Sequence, residues 1–323
     1  MLHCLFRPFA VARCLVFIFA LPLADGAAAQ VSTPEPALTD TMHRTRIGYG
    51  RLLNNDLWGD TQDRWHTGSF SSSRVWGYSW QGQLPSQLGE LLELRLHGEI
   101  MAPANLEHPK ANDRPYAAAL SVGLHSHAEF AGIETAVGAD LVVIGPQNGL
   151  SHFHEDLHST IGSHDTDTAS STQIGNTIRP TLVAEFGHTF ELSEKVFLRP
   201  FLEARAGDET LVRVGADMSI GRIGQGELLV RDKVTGQRYR TIYNADPGLT
   251  FILGGDIGYV SESVYLPEDR GYEMLHDRHR IRAGLHWQGD ASSVFYGVTY
   301  MSEEFSTQSE GQVVGSLRLK LRF

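Results

Sequence analysis

The sequence has almost no cysteine. Of 323 residues two are Cys, Cys4 and Cys14, and both fall in an opening stretch with the marks of a removable leader. That stretch carries Arg7 and Arg13, then the apolar run 15–21, then Ala27-Ala28-Ala29 before Gln30. A positive start, a short apolar core and a small-residue exit describe a secretory signal peptide. A leader over residues 1–29 and a single mature domain over 30–323 are therefore expected. Cleavage after Ala29 leaves 323 − 29 = 294 residues without cysteine. A disulfide framework and a thiol nucleophile are thereby excluded. Positive charge is also in short supply. Lys+Arg are 27 against Asp+Glu 38, a net charge of −11. The leader holds two Arg and Asp25, so the mature value is −11 − 1 = −12. With no basic patch, nucleic acid is not an expected partner. Long apolar runs are missing too. Beyond the leader nothing approaches the roughly 18 residues a membrane helix needs. That absence leaves β-barrels untouched, because they cross lipid on alternating strands that barely raise mean hydropathy.

Alternation is what the sequence does contain. Residues 92–100 place Leu92, Leu94, Leu96, Gly98 and Ile100 on one face and Glu93, Arg95, His97 and Glu99 on the other. Period two over nine residues is a strand with an oily side and a charged side. The same pattern recurs in Tyr116 to Leu124, Ile133 to Val143, Val196 to Ala206, Val212 to Ile220 and Gly315 to Phe323. A soluble sandwich would also alternate. The segments, however, are about ten residues long, as a tilted membrane strand requires. The sequence also ends on Phe323 within its last alternating segment, which resembles the signal read by outer-membrane assembly machinery. The expected fold is all-β, a transmembrane antiparallel barrel of about twelve strands. The strands are placed at 43–53, 67–80, 90–101, 115–127, 130–144, 178–190, 196–206, 210–222, 248–260, 277–288, 293–302 and 313–323. Between 223 and 247, Val230-Arg231-Asp232-Lys233 reads as a turn or a short hairpin. Pro34 and Pro36 make residues 30–42 an irregular lead-in.

Parity places the loops. With both termini periplasmic, the connections 54–66, 102–114, 145–177, 207–209, 261–276 and 303–312 face outward. Three polar constellations fall on them: Asn54-Asn55-Asp56, Asp63-Arg64-Trp65-His66-Thr67, and His152 to Gly162 after Gly145-Pro146. The third contains His154-Glu155-Asp156-Leu157-His158, a literal H-E-x-x-H. On a helix its two imidazoles share a face and could hold zinc with Glu155 as base. Such a match arises readily by chance among 15 His, and a zinc peptidase needs a third ligand and a helical domain that a chain of strands does not offer. Asn and Asp are also ordinary turn residues, Thr67 is an ordinary β-former and His158 could be a plain surface imidazole. The argument for function is their joint placement at one rim.

The order and spacing of these residues resemble the outer-membrane lipid A 3′-O-deacylase family. The resemblance rests on Asn55-Asp56, Asp63 to Thr67, Asp113-Arg114-Pro115-Tyr116, Ile144-Gly145-Pro146 with His158-Ser159-Thr160-Ile161-Gly162, Ala206 to Thr210, and Glu304 to Gln308. It runs from about residue 45 to 323. It implies a twelve-stranded barrel with a short helix in an extracellular loop and a site between that helix and the wall. It implies calcium-dependent hydrolysis of the 3′-acyloxyacyl ester of lipid A, with lipid A (lipopolysaccharide) and outer-membrane lipid as partners; a monomer is the expected state. On matching positions His158 would be the general base, Asp56 with Asn55 would hold or orient Ca2+, and Thr67 would lie in the same site.

The chemistry is consistent with those residue types. Ester hydrolysis builds an oxyanion, which a hard divalent cation stabilises. Calcium takes oxygen ligands of the carboxylate and amide kind. An imidazole titrates near neutral pH and suits proton transfer. Two rivals remain open at this point. One is a catalytically silent barrel that binds lipopolysaccharide or is structural. The other is an outer-membrane phospholipase with a serine nucleophile, for which Ser69 and Ser151 are available.

Overall fold

The computed structural model describes residues 43–161, 172–244 and 246–321, with the side chains of 157, 158 and 161 outside the description. The expected leader and lead-in lie outside the described residues. Residues 43–321 belong to one compact unit, and it is a barrel.

Its elements in chain order are β1 (Thr45–Asn55), β2 (Trp65–Gly77), β3 (Leu91–Ala102), β4 (Ala117–Phe130), β5 (Ile133–Ile144), helix α1 (Leu150–Ile161), β6 (Thr177–Gly187), β7 (Phe190–Ser193), β8 (Val196–Ala206), β9 (Glu209–Gly221), β10 (Leu228–Arg231), β11 (Arg238–Ile242), β12 (Gly248–Ser263), β13 (Asp277–Gln288), β14 (Ser293–Met301) and β15 (Gln312–Lys320). Neighbours pair antiparallel, and two seams close the ring. At one, β1 meets β15 with Leu53 opposite Leu317. At the other, β6 meets β8 with Leu182 opposite Ala206. Twelve strands form the closed wall. The strand expected at 178–190 is broken: β6 ends at Gly187, and β7 resumes beside β8.

The alternation read from the sequence becomes an inside and an outside. On β3, Leu94 and Leu96 are exposed while Glu93, His97 and Glu99 are buried. On β13, Ile281, Leu285 and Trp287 face out, and Arg278, Arg280, Arg282 and His286 face in. The outward residues make the apolar belt that lipid covers, and the inward ones make a polar lumen. Connections are short at one end, as at 131–132 and 289–292, and carry α1 at the other. That is the asymmetry of outer-membrane barrels, with the longer loops outside.

The segment 223–247 resolves as a hairpin. β10 and β11 pair with each other and rise from the periplasmic end into the lumen. Leu228, Val230, Tyr239 and Ile242 pack there against Leu52, Val75, Leu91, Ile252 and Phe295. The close approach needs glycine on β1. A Cβ at Gly48 would sit 2.7 Å from Thr241 O, and one at Gly50 2.7 Å from Arg240 O. Around the hairpin the lumen is laced with ion pairs. Asp256 accepts from Arg213 (3.2 Å), Arg280 (3.0 Å) and Arg282 (2.5 Å). Asp217 accepts from Arg231 and Arg282, each at 2.9 Å. The hairpin tip reaches the outer half. Asp232 there accepts from Asn54 (3.0 Å) and Ser71 (2.8 Å), and Lys233 donates to Asp208 at 2.6 Å.

Candidate active site at the outer rim

The rim site begins where β1 ends. Asn54 points inward, bonding Ser69, Asp232 and Ser316. Strand alternation turns Asn55 the other way, toward the outer surface of the wall. Its Oδ1 accepts from Leu57 N at 2.9 Å and caps the 3-10 turn Asp56–Trp58. Its Nδ2 donates to Thr67 O at 2.9 Å. Thr67 is the extra residue of a bulge on β2, skipped in the register between His66 and Gly68. Bulges commonly re-aim a side chain beside a functional site. The Thr67 hydroxyl donates to the carboxylate of Asp63. The structure thus joins Asn55, Thr67 and Asp63 directly.

Asp56 stands differently. It is 0% exposed, and its Oδ2 accepts from Arg64 N at 2.7 Å and from Gln312 Nε2 at 3.4 Å. Its Oδ1 has no hydrogen-bond partner among the described residues. Burial pushes its carboxyl up to about 9, with Asp63 and Asp60 nearby adding to the rise and the Arg64 N–H opposing it. A carboxylate oxygen left bare in a buried place is the donor a cation would satisfy. Asn55, Asp56, Asp63 and Thr67 offer only oxygen and amide groups, the donor chemistry of calcium rather than of zinc. The residues present therefore fit calcium in kind. Among the described residues, no three His, Cys, Asp or Glu side chains converge on a point where a metal ion could sit.

The second half of the site is α1. Gly145, at φ 94°, and Pro146 open a 3-10 turn that ends at Gly149 in the left-handed region, φ 75°. Asn148 then pins the helix to the wall. Its Nδ2 donates to Ala118 O (2.8 Å) and Val143 O (2.9 Å), while its Oδ1 accepts from Leu150 N (3.0 Å). Leu150 packs on a cluster of Ala102, Leu106, Tyr116 and Ala118. One turn on, His154 is buried with its Nδ1 3.1 Å from the hydroxyl of Tyr116. Burial, with Glu155 and Asp63 nearby, raises the Tyr116 phenol well above its ordinary value and keeps it protonated. His158 lies one further turn along α1, and its side chain lies outside the description. Of the two serines in question, Ser69 faces the lumen and accepts from Asn54 at 2.8 Å, and Ser151 is buried at the start of α1.

Behind the site, inside the wall, a charged cluster ties the loops together. His66 lies between Glu99 (2.8 Å) and Glu304 (3.0 Å), and Glu304 also accepts from Arg114 (2.8 Å) and Arg278 (3.0 Å). Burial acts to raise the Glu304 carboxyl, but Arg278, His66 and Arg114 outweigh it and hold the group well below its usual range. Asp63 and Tyr116 belong to the family-like motifs, yet their roles were not assigned from sequence. Asn148 gave no signal beyond standing two residues after a Gly-Pro pair.

The sequence matches the family described as "Outer membrane protein LpxR" over residues 14–323. The chain belongs to the LpxR family. Among solved structures it is similar to LpxR from Salmonella typhimurium, with a TM-score of 0.71 at 16% identity, covering 85% of this chain and 100% of that one. At that identity the likeness concerns the fold, and the fold is this LpxR-type barrel. The NanC porin aligns over 85% of this chain and 100% of its own at 5% identity, with a TM-score of 0.38. An outer membrane channel from Pseudomonas putida F1 aligns over 90% of this chain and 100% of its own at 12% identity, with a TM-score of 0.37. No curated protein matches the sequence. As a member of the LpxR family with a β-barrel fold, the protein resides in the bacterial outer membrane.

Proposed function

We propose that this protein hydrolyses the 3′-acyloxyacyl ester of lipid A in the outer leaflet, in a calcium-dependent reaction. The observation that carries the reading is the set of residues joined at the outer rim. Asn55, Thr67 and Asp63 are joined on the wall, and α1 is anchored beside them through Asn148 and the Tyr116–His154 contact. That height on a lipid-facing wall is where the esters of an outer-leaflet lipid lie, so no acyl chain need pass through water.

His158 is assigned the general base, drawing a proton from a water that attacks the ester carbonyl. Direct attack by water needs no activated serine, in keeping with Ser69 facing the lumen. Asn55, Asp56, Asp63 and Thr67 are the residues that would hold calcium. Calcium held there would supply the positive charge that polarises an ester carbonyl and stabilises its developing oxyanion. Tyr116 holds His154 and, through it, the helix that carries His158 one turn further on. The Asn55 amide, held by both Leu57 N and Thr67 O, keeps the rim turn in one geometry.

The test is direct. Purified barrel in mixed micelles with hexa-acylated lipid A and millimolar calcium should release a product lacking the acyloxyacyl group, read by mass spectrometry. Excess chelator should stop the release and added calcium should restore it. Phospholipid hydrolysis with lipid A untouched would instead select the phospholipase reading. Intact lipid A in every condition, with folded protein, would select the silent barrel.

A further inference from the structure

The lower lumen is not filled by the hairpin. A cavity of about 330 Å3 lies between β10–β11 and the wall strands β3 to β9, within the size range of small-molecule sites. Its lining includes Gln83 and Glu129, which are exposed at the periplasmic end. The strand wall separates it from lipid, so whatever enters comes from water.

The arginines on its wall fall into two groups. Arg95 gives two bonds of 2.8 Å to Glu93, Arg199 is held by Glu134 and Glu185, and Arg231 by Glu185 and Asp217. Arg205 is only 8% exposed and has no such grip. The carboxylate oxygens it meets are 3.6 Å away on Asp140 and 3.9 Å away on Glu203. Its Nε has no partner among the described residues. Arg238 is similar: Glu134 stands 4.0 Å off, a bond to Leu229 O measures 3.4 Å, and Nε is unpartnered. Of the buried polar atoms left without a partner among the described residues, these two are the ones on the cavity wall, and both are donors. What these two donors lack is an acceptor at hydrogen-bond distance. A guanidinium fork matches the paired oxygens of carboxylate and phosphate.

We propose that this cavity is a binding site for a small, water-soluble oxyanion, a carboxylate or a phosphate, that enters from the periplasm and is held by Arg205 and Arg238. Glu134 and Glu203 on the same wall oppose a polyanion and restrict the ligand to one or two charges. The site is separate from the outer rim and does not depend on the reaction assigned there.

The full chain in detergent, in calcium-free buffer, would be titrated calorimetrically with inorganic phosphate and, separately, with succinate. Saturable one-to-one binding of at least one probe is expected for the wild type. Arg205→Met should weaken it about tenfold or more, and Arg238→Met by a smaller factor. Heat-modifiable gel mobility would certify that each variant is folded. Should Arg205→Met fail to fold, Arg238→Met and Gln83→Trp, which crowds the mouth, carry the same test. A wild type that binds neither probe saturably overturns the proposal, and so does an affinity unchanged in every folded variant.

Discussion

The middle of the lumen and the outer rim are both polar, and they treat a carboxylate in opposite ways. Asp256 in the lumen is surrounded by Arg213, Arg280 and Arg282 and accepts from all three. Asp56 at the rim is equally buried, yet one of its oxygens accepts from nothing among the described residues. The first arrangement fixes a structure. Its charges are paired with one another, and Asp217 joins Arg231 of the hairpin to Arg282 of the wall. The second leaves one carboxylate oxygen uncommitted, with the carboxylates of Asp60 and Asp63 nearby. Polarity alone therefore does not separate the two regions; the bare carboxylate oxygen of Asp56 does.

Four substitutions would break or sharpen that contrast, and the largest effect belongs to the rim. His158→Ala should reduce lipid A hydrolysis about a hundredfold or more, the scale of a lost general base. Urea unfolding should be unchanged. A variant that hydrolyses normally would remove His158 from the mechanism. Next comes the lumen. Asp256→Asn leaves three arginines facing a neutral group, and breaking a buried pair costs about 3–5 kcal/mol. The unfolding midpoint should drop sharply while the specific activity of the folded fraction persists. Equal loss of both would show that lumen and site are one unit.

Asn55→Ala is the intermediate case. It removes a cap and the bond to Thr67 O, worth about 1 kcal/mol in stability. Activity should fall by much more than that figure accounts for, because the same amide is a proposed cation donor. A loss of activity no larger than the loss of stability would leave Asn55 a turn residue only. The most local effect is expected from Glu304→Gln, confined to the loops that His66, Arg114 and Arg278 tie together at the rim. Glu304 in the wild type has a depressed pKa. Such a group contributes stability above its unfolded value of roughly 4.3 and loses it as pH falls toward the lower folded value. Acidification from pH 6 to 3 should therefore loosen the wild-type rim, read as faster proteolysis of the outer loops. The Gln variant should be looser at pH 6 and change less on acidification.

Much of the wall was legible because lipid on one side and ions on the other impose a period of two. Leu94 and Leu96 separate from Glu93 and His97 onto opposite faces by spacing alone. Strand ends shifted where no such contrast acts. The strand expected at 67–80 begins at Trp65, since Asp113 and Gln312 hold Trp65 and His66 at the rim. Spacing alone does not decide the hairpin at 228–242, for a physical reason. It is surrounded by lumen on every side, so neither face meets lipid and its polar and apolar residues follow no fixed period. The site was half legible. Asn55, Thr67 and the helix that carries His158 stood in recognisable order. The tie from Asn148 to the wall and the pairing of Thr67 with Asp63 depend on a bulge and a loop geometry that spacing does not encode.

The central claim is that the rim hydrolyses the 3′-acyloxyacyl ester with His158 as base. It is tested most directly by mass spectrometry of lipid A from a strain expressing this protein, beside strains expressing His158→Ala and none. The account predicts lipid A lighter by one acyloxyacyl group with the wild type and intact lipid A in the other two. Intact lipid A with folded wild-type protein in the outer membrane, or equal loss with the His158→Ala variant, would contradict it.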